Sequence, residues 1–480
     1  MGEQPAKNGV SQLTLTFPSL EEKDETPLAQ QHECNLADNG PSASTAPSIV
    51  RKRPLRKQKW HSLIDKVYSV PNLWKAWSRV AANDGAPGVD GIRVAQFDAS
   101  VEERLTQLSM DLRAKTYRPQ PVRRVYIPKA GGGRRPLGIP TVRDRIVQQA
   151  VLQILEPIFE VKFSKRSHGF RKGRGCATAL AVVDRAVKHG YQWVVDADIQ
   201  AFFDTVDHEK MLTALNEEVA DGSLLKLVRY ILAAGVIEPL MSETEPSEMG
   251  TPQGGPLSPL LANIYLHVFD EVMERAGYGL VRYADDFVIF AKSESEAASA
   301  LQLASEILEG QLGLTLHPEK TRIVPVDEGF EFLGYHYFRD PKTARLVKEV
   351  RAKSVRTFRD AVRRRTPRLK TQRRFKERHC TLARLMKNQR VKEMVAELNL
   401  YLTGWHGYFK VVWERYTPPF DRFDRFVRTR LRLAVTGRVG NGWWNQRITN
   451  DLLRQLGLTS LAKRQRLYQK GQLIEPARKG

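Results

Sequence analysis

The stretch Val281-Arg282-Tyr283-Ala284-Asp285-Asp286-Phe287-Val288-Ile289-Phe290 sets two adjacent carboxylates between two short apolar runs. Such runs read as strands joined by a very short connection. Like charges a few ångströms apart repel and raise each other's pKa. A chain that keeps them there needs compensation, and a divalent cation supplies it. Mg²⁺ suits one or two carboxylates together with substrate phosphates. A second acidic strand lies upstream, Trp193-Val194-Val195-Asp196-Ala197-Asp198-Ile199, leading to Gln200-Ala201-Phe202-Phe203-Asp204. Two ions about 3.5–4 Å apart can clamp the attacking and leaving oxygens of an in-line phosphoryl transfer. Alone, Asp285-Asp286 would suit a hairpin turn, where Asp is common. The second acidic strand, with the charge distribution below, shifts the reading to metal-assisted phosphoryl transfer.

The chain has 480 residues, enough for two or three domains, with 76 Lys and Arg against 54 Asp and Glu, a net charge of +22. The excess is localised. Residues 341–480 hold 36 basic and 10 acidic residues (+26), leaving 40 basic and 44 acidic (−4) in 1–340. A basic block still rich in apolar residues reads as a folded surface for a polyanion, the alternative being a solvated helical face. The 41% of hydrophobic residues excludes a wholly disordered chain. No run of about 18 uncharged apolar residues offers a membrane span. Three scattered cysteines (Cys34, Cys176, Cys380) exclude a disulfide framework and a Cys-rich zinc module. They fit a reducing, cytoplasmic setting.

Residues 1–58 read as a disordered N-terminal segment without a secretory signal. Residues 59–118 read as helix, turn, helix. Across 119–340 the elements alternate, giving mixed α+β: strands at 122–128, 193–199, 280–283 and 287–290, helices at 141–159, 260–273 and 294–308, and a hairpin at 330–338. Thr141 and Asp144 resemble a capping box, and Ser258-Pro259 suit N-cap and N1. Beyond 340 the pattern becomes helical. Val391, Val395, Leu398, Leu402 and Trp405 step at helical spacing, and 351–390 carries 16 basic residues against two acidic ones.

Tyr283-Ala284-Asp285-Asp286 resembles the Tyr-x-Asp-Asp box of reverse transcriptases. Asp198-Ile199, Phe202-Phe203-Asp204 and Asp207-His208 resemble their upstream metal-binding motif. Further stretches occur in the family's order. They are Tyr126-Ile127-Pro128-Lys129 with Arg135-Pro136-Leu137-Gly138-Ile139-Pro140, His168-Gly169-Phe170-Arg171, and Gly250-Thr251-Pro252-Gln253-Gly254-Gly255-Pro256-Leu257-Ser258-Pro259, then Gly313-Leu314 leading to Glu319-Lys320-Thr321, and Phe332-Leu333-Gly334-Tyr335. The chain is most similar to the reverse transcriptase/maturases encoded by group II introns, of bacterial type.

The resemblance implies a right-hand polymerase: fingers and a palm on an antiparallel sheet over 119–340, then an α-helical thumb/maturase domain over 341–440. Residues 59–118 would extend the fingers, and 441–480 would be a short basic segment, a possible DNA-binding remnant. It implies Asp198, Asp285 and Asp286 as ligands of two Mg²⁺ ions. Lys129 and Arg135 would hold the dNTP triphosphate, Gln253 would contact nucleotide and template, and Phe203 would pack under the deoxyribose and exclude a 2′-hydroxyl. Phe202 is expected to alternate into the core, and Asp196 and Asp204 to stand outside the ligand set. Arg422, Arg425 and Arg428 would meet RNA phosphates, while Trp405, Tyr408 and Phe409 read as bundle core. After Trp444 there is no cysteine or histidine, so the family's His-Asn-His endonuclease is expected to be missing.

The function so implied is RNA-directed DNA polymerisation with binding of the parent intron RNA to promote splicing, and support of retrohoming by target-primed reverse transcription. The implied partners are intron RNA, an RNA template with DNA primer, a DNA target and dNTPs, with no membrane. Two alternatives stay open on sequence: a splicing factor whose polymerase is dispensable, and a reverse transcriptase of a retron, diversity-generating, CRISPR-associated or other defence system.

Overall fold

A four-stranded antiparallel sheet organises the chain. Its strands are β3 (Trp193–Asp198), β5 (Gly279–Tyr283), β6 (Asp286–Ala291) and β7 (Arg322–Pro325), in the order β5-β6-β3-β7. The computed structural model describes residues 59–128, 133–237, 249–250, 254–369, 388–412, 418–436 and 448–473. The segment 1–58, expected to be disordered, lies outside the described residues.

Side-chain alternation splits the sheet into two faces. Val195, Ala197, Leu280, Phe287 and Ile289 enter one core with helices α5 (Val142–Glu160), α8 (His208–Asn216), α9 (Gly222–Leu232), α10 (Ser258–Arg275) and α11 (Glu294–Ser305). Val194, Val281, Val288 and Phe290 enter a second core with α6 (Cys176–Lys188) and a three-stranded sheet of β8 (Phe330–Phe332), β9 (Tyr335–Arg339) and β10 (Leu346–Val350). The C-terminal helices α12 (Ala352–Arg365), α13 (Gln389–Phe409) and α14 (Pro418–Thr436) join this second core.

Toward the N-terminus, α1 (Ile64–Tyr68), α2 (Val70–Ala82), α3 (Val94–Asp98) and α4 (Val101–Arg113) precede a hairpin of β1 (Val122–Pro128) and β2 (Arg134–Ile139). The short β4 (Val236–Ile237) pairs parallel with β1. Helix α5 is buried around most of its circumference. Thr141 caps it, accepting from the Asp144 backbone at 3.1 Å. Asp144 does not complete a capping box. Its carboxylate instead accepts from Tyr117 Oη at 2.6 Å and the Gln120 backbone at 3.1 Å, tying the helix start to the preceding loop.

The structure departs from the sequence expectations at several places. Helix α10 starts at Ser258 with Leu257 as N-cap and no side-chain cap, so Pro259 is its second residue. Strand β10 follows residue 340, where helix was expected, because Val347 and Lys348 pair with Phe338 and Tyr337 across β9. The Lys348 ammonium is fully buried between Asp184, 3.0 Å away, and the faces of Tyr335 and Tyr337. In the C-terminal bundle, Phe358 is fully buried against Trp405 and Phe423 at centroid distances of 4.5 and 4.9 Å. Trp405 and Phe409 are core as expected, but Tyr408 is 39% exposed and its hydroxyl donates to the Leu333 carbonyl. Two further helices, α15 (Asn450–Gln455) and α16 (Leu461–Gln469), pack on this bundle. Among the described residues no helix is long and apolar enough to cross a membrane.

Candidate active site

The antiparallel register brings the two acidic strands to one sheet end. Asp198, the last residue of β3, is the direct cross-strand partner of Asp286, the first residue of β6. Directly opposed residues hold their Cβ atoms about 4.5–5.5 Å apart. Tyr283 pairs with Asp286, so Ala284 and Asp285 form a two-residue connection between β5 and β6. Ala284 is left-handed (φ 59°), a conformation that L side chains rarely adopt. Asp198, Asp285 and Asp286 are thus gathered at this end by pairing and turn geometry, all half-buried.

Asp196 lies one pleat back on the Asp198 face and opposes Arg322 of β7, with a guanidinium–carboxylate distance of 3.1 Å. Asp204 is exposed on α7 (Phe202–Thr205). Lys320 donates to Asp198 Oδ2 from the loop before β7. The same loop is fixed to the strand end by the His317 N–H, which donates to the Asp198 carbonyl at 2.8 Å. Burial, followed by the charges of Asp196, Asp198 and Asp285, pushes the Asp286 carboxyl up to about 7. Among the described residues no three His, Cys, Asp or Glu side chains stand as a ready-made metal cage. The donor set nevertheless suits a hard cation: carboxylate oxygens at an accessible strand end, with Lys320 on Asp198 and the Arg351 charge acting on Asp286.

Phe202 and Phe203 do not alternate as in a strand. After Ile199 the chain turns through left-handed Ala201 (φ 47°) into α7. Both rings are therefore buried on the same side, edge to face with centroids 5.2 Å apart, and Phe203 retains 9% exposure. Arg135 takes its place in β2 opposite Ile127; its side chain, with Lys129 and Gln253, lies outside the described residues. Gly254, after Gln253, runs close to β2: with φ 121°, an added Cβ would sit 2.5 Å from the Gly138 carbonyl oxygen.

On α14, Arg422 and Arg425 are exposed and Arg428 is half-exposed, while Phe420, Phe423, Val427 and Leu431 face the core. Arg430 and Arg432 on the same helix turn inward, to Thr366 and to Ile448 and Asn450. Two features escaped the sequence reading: the Lys320–Asp198 pair, and a buried Arg282 beneath the aspartate turn. A single cation in the middle of an apolar strand was the available signal for Arg282, because such a charge must find a partner.

Comparison with known proteins places the chain in a family. Residues 127–337 match the family model for reverse transcriptase (RNA-dependent DNA polymerase), and 372–449 match the group II intron maturase-specific domain. Protein YkfC of Escherichia coli K12 is 35% identical over 292 residues, covering 53% of this chain and 76% of its own length. The group II intron-encoded protein LtrA of Lactococcus lactis subsp. cremoris is 33% identical over 325 residues, 54% of each chain. This chain therefore spans about half the length of LtrA. A partial Cas6-RT-Cas1–Cas2 complex aligns over 52% of this chain and 43% of its own, at 25% identity and a TM-score of 0.34. With an RNA-dependent DNA polymerase domain followed by a maturase-specific domain, the chain belongs to the family of group II intron reverse transcriptase/maturases.

Proposed function

We propose that this protein copies RNA into DNA at the Asp198, Asp285 and Asp286 site, with two Mg²⁺ ions, and that its C-terminal helices bind the parent intron RNA to promote splicing. Target-primed reverse transcription into a DNA target, in the cytoplasm, completes the reading. The observation that carries it is the pairing of Asp198 with Asp286 beside the Asp285 turn. Bound Mg²⁺ would lower the pKa of the primer 3′-hydroxyl and neutralise charge on the departing pyrophosphate.

The protein's own groups have separate tasks. Asp198 and Asp286 stand on one face of the sheet, with Asp285 beside them in the turn. Lys320 and Arg322 hold Asp198 and Asp196 in place. Phe203 walls the sugar position, Lys129 and Arg135 grip the triphosphate, and Gln253 orients nucleotide against template. Residues 119–340 act as fingers and palm, with 341–440 as a thumb that carries Arg422, Arg425 and Arg428 to RNA phosphates.

Primer extension on an RNA template with dNTPs and Mg²⁺ tests the reading. Asp285→Ala should lower the rate by about a thousandfold or more, since several kcal/mol of charge stabilisation is lost. Intron RNA binding should persist. Extension by Asp285→Ala at the wild-type rate would refute the site.

A further inference from the structure

We propose that Arg282 is the positioning residue that locks the Ala284–Asp285 turn in its reactive geometry. The inference rests on the polymerase reading and deepens it. Arg282 lies on the sheet face opposite the carboxylates and is fully buried. A guanidinium has five N–H donors in a fixed fork, and here all five find acceptors. Nε donates to Asp270 Oδ1 at 2.6 Å, and Nη2 donates to Asp270 Oδ2 and to Ser167 Oγ at 2.9 Å. Nη1 donates to Asn263 Oδ1 at 3.1 Å and to the Ala284 carbonyl at 2.8 Å. Four of these bonds anchor the fork to α10 and to the loop before α6. The fifth holds the peptide that joins Ala284 to Asp285.

The same loop grips the turn from a second side. The His168 N–H donates to the Arg282 carbonyl at 2.9 Å, and the Arg282 N–H donates to the Arg166 carbonyl at 3.0 Å. Asn263 Nδ2 donates to the Gly169 carbonyl at 2.8 Å. Gly169 lies so close that an added Cβ would sit 2.4 Å from the Ala284 nitrogen. A left-handed alanine is costly and persists only where its surroundings over-determine it; these contacts do so.

A purely structural role would not require this arrangement. Replacing a buried ion pair with apolar residues of similar volume is often neutral or stabilising. What an apolar pair cannot supply is a directed donor for the Ala284 carbonyl.

The test compares wild type, the double variant Arg282→Met with Asp270→Leu, and Arg282→Lys, each by thermal melting and by steady-state primer extension. The double variant leaves Ser167 Oγ, Asn263 Oδ1 and the Ala284 carbonyl without their donor, so it should melt cooperatively but at a lower temperature than wild type. Its kcat should fall by about 10- to 100-fold, the consequence of one lost hydrogen bond at the turn, with KM for dNTP nearly unchanged. Arg282→Lys keeps the charge beside Asp270 but has three donors for five acceptors. It should restore melting without restoring kcat, and it decides the matter if the double variant does not fold. A folded variant with wild-type kcat overturns the proposal, as does full rescue of kcat by lysine. Wild-type protein that does not extend a primer refutes the polymerase reading instead, so the two failures are distinguishable.

Discussion

Arginines 422, 425 and 428 should set part of the salt dependence of RNA binding, and their neighbours Arg430 and Arg432 should not. None of the first three forms a hydrogen bond or ion pair within the described residues, and their helix buries Phe420, Phe423 and Val427 on the other side. Arg432, by contrast, donates to the Ile448 carbonyl and to Asn450 Oδ1, both at 2.8 Å. Each phosphate neutralised on a single strand adds about 0.7 to the slope of log affinity against log salt. Replacing all three outward arginines with alanine should therefore flatten the slope by about 2. Between 50 and 200 mM salt, that removes roughly a 20-fold share of the affinity loss. Fluorescence anisotropy of labelled intron RNA over a salt series measures it directly. Arg432→Ala should leave the slope alone and lower stability by about 1–3 kcal/mol, through two lost hydrogen bonds. A triple variant with the wild-type slope, or an equal flattening in Arg432→Ala, would refute the assignment of the outward arginines to RNA.

Two further outcomes follow from buried aromatic rings. Phe203→Val should raise incorporation of rNTP relative to dNTP by about tenfold or more, a change of about 1.4 kcal/mol in discrimination; single-nucleotide extension kinetics with paired substrates would read it, and an unchanged ratio would remove Phe203 from the sugar site. Phe358→Ala should destabilise the C-terminal bundle by about 3–5 kcal/mol, because the ring is fully buried against Trp405 and Phe423. Denaturant unfolding followed by tryptophan fluorescence checks it, and a loss below about 1 kcal/mol would contradict the packing.

The legible parts of the fold were those whose pattern is local. Strands β3, β5 and β6 announced themselves as short apolar runs, β1 as a strand candidate despite Arg123 and Arg124, and α13 as a helical stripe ending at Trp405. The missed strands were those whose stability comes from afar. β2 contains Arg134, Arg135, Pro136 and Gly138, which local propensity reads as a loop, and its pairing with β1 makes it a strand. β7 has only four residues and ends in Pro325. β10 carries Lys348, whose burial makes sense only with Asp184, 164 residues away in sequence. The three aspartates could be read because two sit adjacent and the third ends an apolar strand. The partners that hold them could not: Lys320 meets Asp198 across 122 positions, and Arg282 reaches Ser167 across 115.

The alternation of β5 gives consecutive residues opposite tasks. Tyr283 shares its face with Asp286, whereas Arg282 shares its face with Phe287 and points into the helix-covered core. Asp198 and Asp286 thus stay at an accessible strand end, and Arg282 is withheld from their face of the sheet. Were Arg282 on the Asp286 side, it would neutralise the negative charge that a divalent cation requires. On the far side, Asp270 balances it, and only its directed N–H reaches the turn. The aspartates stay clear of this cation, while the turn beside them accepts one of its N–H groups. A shift of strand register by one residue would exchange the two faces, moving Arg282 among the carboxylates and Asp286 into an apolar core. The pairing of Asp198 with Asp286 and the burial of Arg282 are therefore one constraint, and a substitution that loosens either should disturb both.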